Sequence, residues 1–421
     1  MNNRILSVLS NKPFLYLWLA EVFSQVAMNM VNFVLIIVAY KVSNSNTAVS
    51  GIVLSFTIPA ILFGLLAGVY VDRWHKKKVL LWTNILRAVF LLALLFIPSN
   101  LFVIYVVTFV IAFITQFFIP AESPMIPVLV KKDQLLSANA LFGLGIYGSI
   151  FFAYALSGPL LLFFGDMVVF TLLSILFLIA AGFVLLIRVP AKVDRVVEKR
   201  KEVSVMKDLW SALAVMAKTK EISQSLLLLT IAQLLVLIVG VIGPGYATQI
   251  LKIKLDAFAL LFITPASLGM VVGAVVVGTY FQNFSKSMSA TLGVLLAGVV
   301  MLLLPYGGAE ISSNGFILFL NGLLPFSVGM IHIVVILAFF LGFSNSLVFV
   351  PSNTVLQEHT TDSLRGKVYG GLNALIGIFS LVPIIMVGGL SDIFGVGRVL
   401  TGIGIVIVAL GVFRVVMTWR K

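Results

Sequence analysis

Gly68-Val69-Tyr70-Val71-Asp72-Arg73-Trp74-His75-Lys76 closes one long apolar run, and Gly278-Thr279-Tyr280-Phe281-Gln282-Asn283-Phe284-Ser285-Lys286 closes another. Gly, Tyr and Lys recur at the same offsets, while the acid and the arginine of the first copy become amides in the second. A further echo follows two runs later in each case. Pro120-Ala121-Glu122-Ser123 leads to Asp133-Gln134-Leu135, and Pro351-Ser352-Asn353-Thr354 leads to Asp362-Ser363-Leu364. Two echoes in matching order predict a duplicated chain whose halves flank a site near the middle of a membrane.

Outward from these loops, apolar runs fall at approximately 14–40, 49–71, 79–98, 100–119, 138–163, 167–188, 224–250, 257–281, 288–306, 328–350, 367–390 and 397–417. Each is long enough to cross hydrocarbon as a helix, the open-chain form that satisfies its own backbone there. One long polar stretch, Arg188 to Glu221, divides them six plus six, and within it Met206 to Met216 has the apolar spacing of a helix lying on the membrane surface. The expected fold is therefore all-α: a polytopic membrane protein with twelve transmembrane helices in two pseudo-symmetric six-helix bundles, 1–188 and 223–421, joined by a cytoplasmic loop, 189–222.

Composition agrees. Of 421 residues, 61% are apolar and 10% charged, and mean hydropathy is +1.17; a soluble domain averages roughly 45–50% and 25%. So few charges cannot keep this chain in water, which excludes a soluble enzyme or nucleic-acid binder. The net charge of +13 instead marks loops facing anionic lipid. With an inside N-terminus, Arg73, Lys76 to Lys78, Lys131, Lys132, the central stretch, Lys286, Arg365, Arg414 and the C-terminus all fall inside. Only Lys41, Lys252, Lys254 and Arg398 fall outside. That asymmetry predicts a multi-pass protein of the cell (inner) membrane with both termini cytoplasmic. Met1 to Pro13 is polar and precedes a full-length run without a small-residue cleavage site, so no removable signal is expected.

Cysteine is absent, so disulfides and thiolate chemistry are excluded. His75, His332 and His359 share no metal spacing, and His332 reads as a packed or hydrogen-bonded side chain. No phosphate-binding loop or paired intramembrane acid points to an ATPase or an enzyme, and no cofactor is expected.

Charges within spans are costly and mark function. Glu21 is the only acid well inside a run. Gln25, Asn29 and Asn32 follow at steps of four, four and three, so all four line one helical face. The functional reading is a cavity wall with Glu21 as the proton site; the alternative is snorkelling or a permanent pair with Arg87. Arg87 itself demands a carboxylate or carbonyls, as a structural pair, an anion site or a regulator of Glu21. Glu122 reads equally as a gate salt-bridge partner and as a proton carrier. Tyr105, Thr108, Thr115 and Gln116 of the fourth run, with Thr230, Gln233 and Tyr246 of the seventh, are further cavity candidates. Gly240-Val-Ile-Gly243-Pro244-Gly245 is expected to kink or unwind the seventh helix.

Gly68-x-x-x-Asp72-Arg73-x-x-Lys76-Lys77 resembles the signature loop of the major facilitator superfamily. Pro120-Ala121…Ile126-Pro127…Gln134-Leu135…Ala138-Asn139-Ala140-Leu141, with Leu364-Arg365-Gly366-Lys367-Val368-Tyr369, is similar to its drug-efflux branch, which includes macrolide exporters. Two motifs depart from that branch. Ala27-Met28-Asn29 stands where a small-residue pair and an aspartate are usual, and Tyr154-Ala155-Leu156-Ser157-Gly158-Pro159 replaces a glycine-rich motif. The resemblance implies alternating-access transport, with Gly68, Asp72, Arg73 and Lys76 forming a cytoplasmic latch against the start of the eleventh span near Arg365 and Gly366. Gly68, with Gly64 one turn earlier, is expected to let the second span pack closely on a neighbour. The function expected is proton-coupled efflux of hydrophobic or amphipathic small molecules by a monomer whose partners are substrate, protons and membrane lipid. An exporter of a lipid, siderophore or other metabolite is the alternative.

Overall fold

The computed structural model describes residues 7–96, 100–131, 134–188, 219–280, 285–307, 329–360 and 362–419. Regular structure among them is helical throughout, with no strand. The helices are α1 (Lys12–Ser43), α2 (Asn46–Arg73), α3 (Lys76–Ala93), α4 (Leu101–Thr115), the short α5 (Phe118–Glu122) and α6 (Ile126–Leu129), and α7 (Leu135–Leu186). After the central stretch come α8 (Lys220–Gly245), the short α9 (Leu255–Phe258), α10 (Thr264–Tyr280), α11 (Lys286–Leu303), α12 (Met330–Glu358), α13 (Asp362–Phe394) and α14 (Val396–Trp419). The amphipathic stretch expected at Met206 to Met216 and the segment Phe281 to Phe284 lie outside the described residues.

Ten helical segments among the described residues are long and apolar enough to cross a membrane. Two of the twelve predicted runs are not separate members of that ten. The run at 79–98 is α3, whose eighteen residues include Lys76, Lys77, Lys78 and Arg87. The run at 138–163 shares the continuous helix α7 with its successor, and the apolar segment there is Ala155–Leu186. Inside α7 the chain turns at Gly165, with φ +74° and ψ 171°, a conformation open essentially to glycine alone. The predicted division between runs five and six falls at that residue.

Local chemistry sets the boundaries. Asn100 caps α4 by accepting from the Val103 N–H at 3.2 Å. Lys77 donates to the orphan carbonyls of Leu185 and Ile187 at 2.9 and 2.8 Å, closing the C-terminus of α7. At α8 the helix runs through Gly243, Pro244 and Gly245 and widens into a π turn over Tyr246–Ile250, so the irregularity expected in the seventh run lies one turn later.

The chain forms two compact units: Met1–Val42 with Leu54–Val203, and Ser43–Val53 with Ser204–Lys421. In the first, Phe14 and Leu17 of α1, Leu80 of α3, Phe118 of α5 and Phe142 of α7 share one buried cluster. In the second, α10 and α12 approach at small residues. A Cβ on Gly269 would collide with the carbonyl oxygen of Phe339, and one on Gly342 with that of Ala266, a membrane-helix interface built on glycine. The first two turns of α2 belong to this second unit.

Candidate functional site: a buried charge cluster

Three charged side chains are buried together in the first unit, on α1, α3 and α5. Glu21 is 0% exposed, Arg87 1% and Glu122 5%. Glu122 is near enough to both others for their charges to act on one another. Arg87 does not form the ion pair considered from the sequence. Its Nη1 donates to Ser24 Oγ at 2.9 Å, and its Cζ lies 4.6 Å from the Phe118 ring centroid and 5.4 Å from that of Phe177. Aromatic faces and a hydroxyl thus hold the guanidinium, a cation–π arrangement worth about 2 kcal/mol or more once desolvated. Nε and Nη2 of Arg87, both oxygens of Glu21 and Oε1 of Glu122 have no hydrogen-bond partner among the described residues. Buried polar atoms are normally satisfied, so these orphans call for an explanation such as an exchanged proton, ligand or ion.

Glu21 sits where α1 meets α7. Trp18 Nε1 donates to the Leu141 carbonyl at 2.8 Å and Ser149 Oγ to the Val22 carbonyl at 3.3 Å. Between these bonds lies Gly145, where a Cβ would be 3.0 Å from Trp18 Nε1 and 3.2 Å from Glu21 Oε2. The carboxylate therefore sits in a tight notch beside Gly145, where a Cβ would need its neighbours to give by a few tenths of an ångström.

The polar face of α1 is partly self-satisfied. Asn29 Nδ2 donates to the Gln25 carbonyl at 2.8 Å, whereas Asn32 Oδ1 is buried without a partner among the described residues. In the fourth run, Thr108 bonds back to the Ile104 carbonyl at 2.7 Å and Gln116 to that of Ala112 at 3.1 Å. Thr115 donates to the Ile111 carbonyl at 2.7 Å and also approaches Met28 Sδ on α1 at 3.5 Å. Tyr105 is half-buried on α4. In the second unit, Gln233 is exposed. Thr230 bonds to the Leu226 carbonyl at 2.8 Å. Tyr246 is buried, with its hydroxyl donating to the Leu304 carbonyl at 2.9 Å, so its polar end is already engaged. His332 Nδ1 accepts from the Gly329 N–H at 3.2 Å. Among the described residues no group of three or more His, Cys, Asp or Glu is placed to hold a metal ion.

The signature loop lies between α2 and α3. Trp74 stacks on Phe117 with centroids 5.8 Å apart, and Arg73 is exposed. An added Cβ at Gly68 would meet nothing within 4 Å. Among the described residues nothing packs closely on Gly68; at Gly64 the neighbour is Gln116 Oε1, at an ordinary 3.5 Å. The side chains of Asp72 and Arg365 lie outside the described residues, as do the surroundings of Gly366, although all three positions are helical. Lys76 is half-buried.

Sequence reasoning missed Ser24 and Gly145. Ser24 is three residues from Glu21, so helical spacing puts it beside that charge. Gly145 gives no such signal.

Residues 17–382 match the model of the Major Facilitator Superfamily. The chain is a member of this superfamily. Its members are membrane transporters, a class apart from enzymes. An uncharacterized MFS-type transporter of Bacillus subtilis (strain 168), YfiS, is 21% identical over 91% of this chain and 87% of its own length. Macrolide efflux protein A of Streptococcus pyogenes is also 21% identical, over 94% of each chain. Among solved structures, the nucleoside transporter NupG superposes with a TM-score of 0.71 at 10% identity, covering 96% of this chain and 98% of its own. The POT family transporter PepTSo gives 0.69 at 14% identity, over 97% and 98%. At these identities the structural likeness speaks for the superfamily fold and not for a substrate.

Proposed function

We propose that this superfamily member is a proton-coupled exporter of hydrophobic or amphipathic small molecules, working by alternating access. The observation that carries the reading is Glu21: a fully buried carboxylate without a hydrogen-bond partner among the described residues, in a notch beside Gly145, with Arg87 and Glu122 close by. Such a group can bind and release a proton without first breaking a protein hydrogen bond. Its affinity for that proton follows the position of the neighbouring charges. Substrate entering beside Gln25, Asn29 and Asn32 would change those surroundings and so compete with the proton without touching it. Similarity to a macrolide efflux protein over nearly the whole chain supports export and an amphipathic cargo.

In this reading the halves 1–188 and 223–421 rock about the cavity, with both termini and 189–222 in the cytoplasm of a cell-membrane monomer. The loop Gly68, Asp72, Arg73 and Lys76 closes against the region of Arg365 and Gly366. Glu122 relays or gates, and Tyr105, Thr108, Thr115, Gln116, Gln233 and Tyr246 are the other candidates for the path.

The test is efflux from cells expressing the chain, across a panel of macrolides and other amphipathic compounds, with and without a protonophore. Glu21→Gln keeps the volume but cannot ionise. Uphill efflux should fall at least tenfold in it while downhill exchange persists, and Glu122→Gln provides the comparison. A protonophore-sensitive gradient of wild-type size in Glu21→Gln would remove Glu21 from the coupling.

A further inference from the structure

At the turn between α2 and α3 the first unit has a cleft of about 580 Å³, within the roughly 300–1,000 Å³ of small-molecule sites. Its walls include Trp74, Trp82 and Phe117, and its lining also carries Arg73, His75 and Lys78; no acid lines it among the described residues. Trp74 and Trp82 are 49% and 56% exposed, so the described residues leave this apolar surface uncovered.

The order of residues along α3 gives the cleft a polarity. Lys78, Trp82 and Leu86 recur every fourth residue and all line it, so they form one stripe, each step about 6 Å deeper than the last. Cation, amphipathic ring and alkyl chain succeed one another in the order in which a membrane passes from headgroup through interface to hydrocarbon. Lys77, between them in sequence, is committed to the carbonyls of Leu185 and Ile187. Arg73 and Lys78 take part in no ion pair among the described residues.

We propose that this cleft is a binding site for one anionic phospholipid, with its phosphate on Arg73 and Lys78 and one acyl chain along Trp82 and Leu86. Charge selects the occupant: the cations Arg73 and Lys78, with no acid among the described lining residues, favour a net-negative headgroup over a zwitterionic one. The site stands whatever compound the transporter exports.

Native mass spectrometry of the delipidated full chain in detergent tests this, by titration with phosphatidylglycerol, phosphatidylethanolamine and inorganic phosphate. Phosphatidylglycerol should bind at least tenfold more tightly than phosphatidylethanolamine, and phosphate should not displace it. Arg73→Gln and Lys78→Gln should each weaken binding about fivefold, while Lys254→Gln, in an exposed loop of the other unit, should not. Leu86→Trp, on an exposed position, narrows the acyl-chain end of the cleft and leaves every charge in place. It should weaken phosphatidylglycerol binding without lowering the melting temperature. Equal binding of both lipids, or undiminished phosphatidylglycerol binding in Leu86→Trp, would overturn the proposal. Displacement by phosphate alone would do the same, reducing the cleft to a surface anion site.

Discussion

Gly145 shows how a single absent atom can shape a site. Trp18, Glu21 and Val22 all crowd the place where its Cβ would stand, at 3.0–3.2 Å. Trp18 is fixed by its bond to Leu141, so it cannot swing away freely. Gly145→Ala should therefore destabilise the protein by about 1–3 kcal/mol, as overpacking in a filled core does. It should also lower transport, because the displaced group is the Glu21 carboxylate. Gly68→Ala is the control, since its Cβ meets nothing within 4 Å. Thermal unfolding in detergent should separate the two variants, and equal melting temperatures would deny the notch.

Among the elements, α2 has the most explicit terminal support. Asp392, near the end of α13, accepts from the backbone N–H of Asn46 at 2.8 Å and of Thr47 at 2.9 Å. It also accepts from the side chains of Ser45, Asn46 and Thr47 at 2.6, 3.0 and 2.7 Å. A carboxylate from a helix more than three hundred residues away in sequence thus caps the N-terminus of α2, where the helix dipole favours negative charge. Beside it, Ser50 donates to the Ile384 carbonyl at 2.8 Å. Asp392→Ala leaves those amides uncapped and should cost about 1–2 kcal/mol. Hydrogen exchange of residues 46–49 should quicken while the middle of α2 stays protected. Unchanged protection at Asn46 and Thr47 would mean that the cap contributes nothing to that end of the helix.

For the whole molecule, the distribution of lysine and arginine predicts which loops share a side of the membrane. The absence of native cysteine makes a single introduced thiol an unambiguous reporter. Lys131 and Lys254 are both exposed. Lys131→Cys should react with an impermeant maleimide only after the membrane is opened, and Lys254→Cys in intact cells. Labelling of both from outside would contradict the cytoplasmic placement of 131 and of the termini.

Apolar runs, their bounding polar loops and the echo between halves were legible in the sequence because hydrocarbon imposes one rule on every span: a helix about twenty residues long. Glu21 and Arg87 were legible for the same reason, since a charge stands out in such a run. The partners of those charges were not. Sequence spacing offered Arg87 a carboxylate, whereas packing gave it Ser24, Phe118 and Phe177, contributed by three different helices. Tyr246, a cavity candidate by residue type, turned inward to the Leu304 carbonyl. Gly68 looked like a packing glycine, yet close approach occurs at Gly145, Gly269 and Gly342. The pattern along one helix is set by its solvent and can be read residue by residue. Which atoms meet across helices depends on the rotation and depth of each helix against its neighbours, and that is fixed only when the bundle closes.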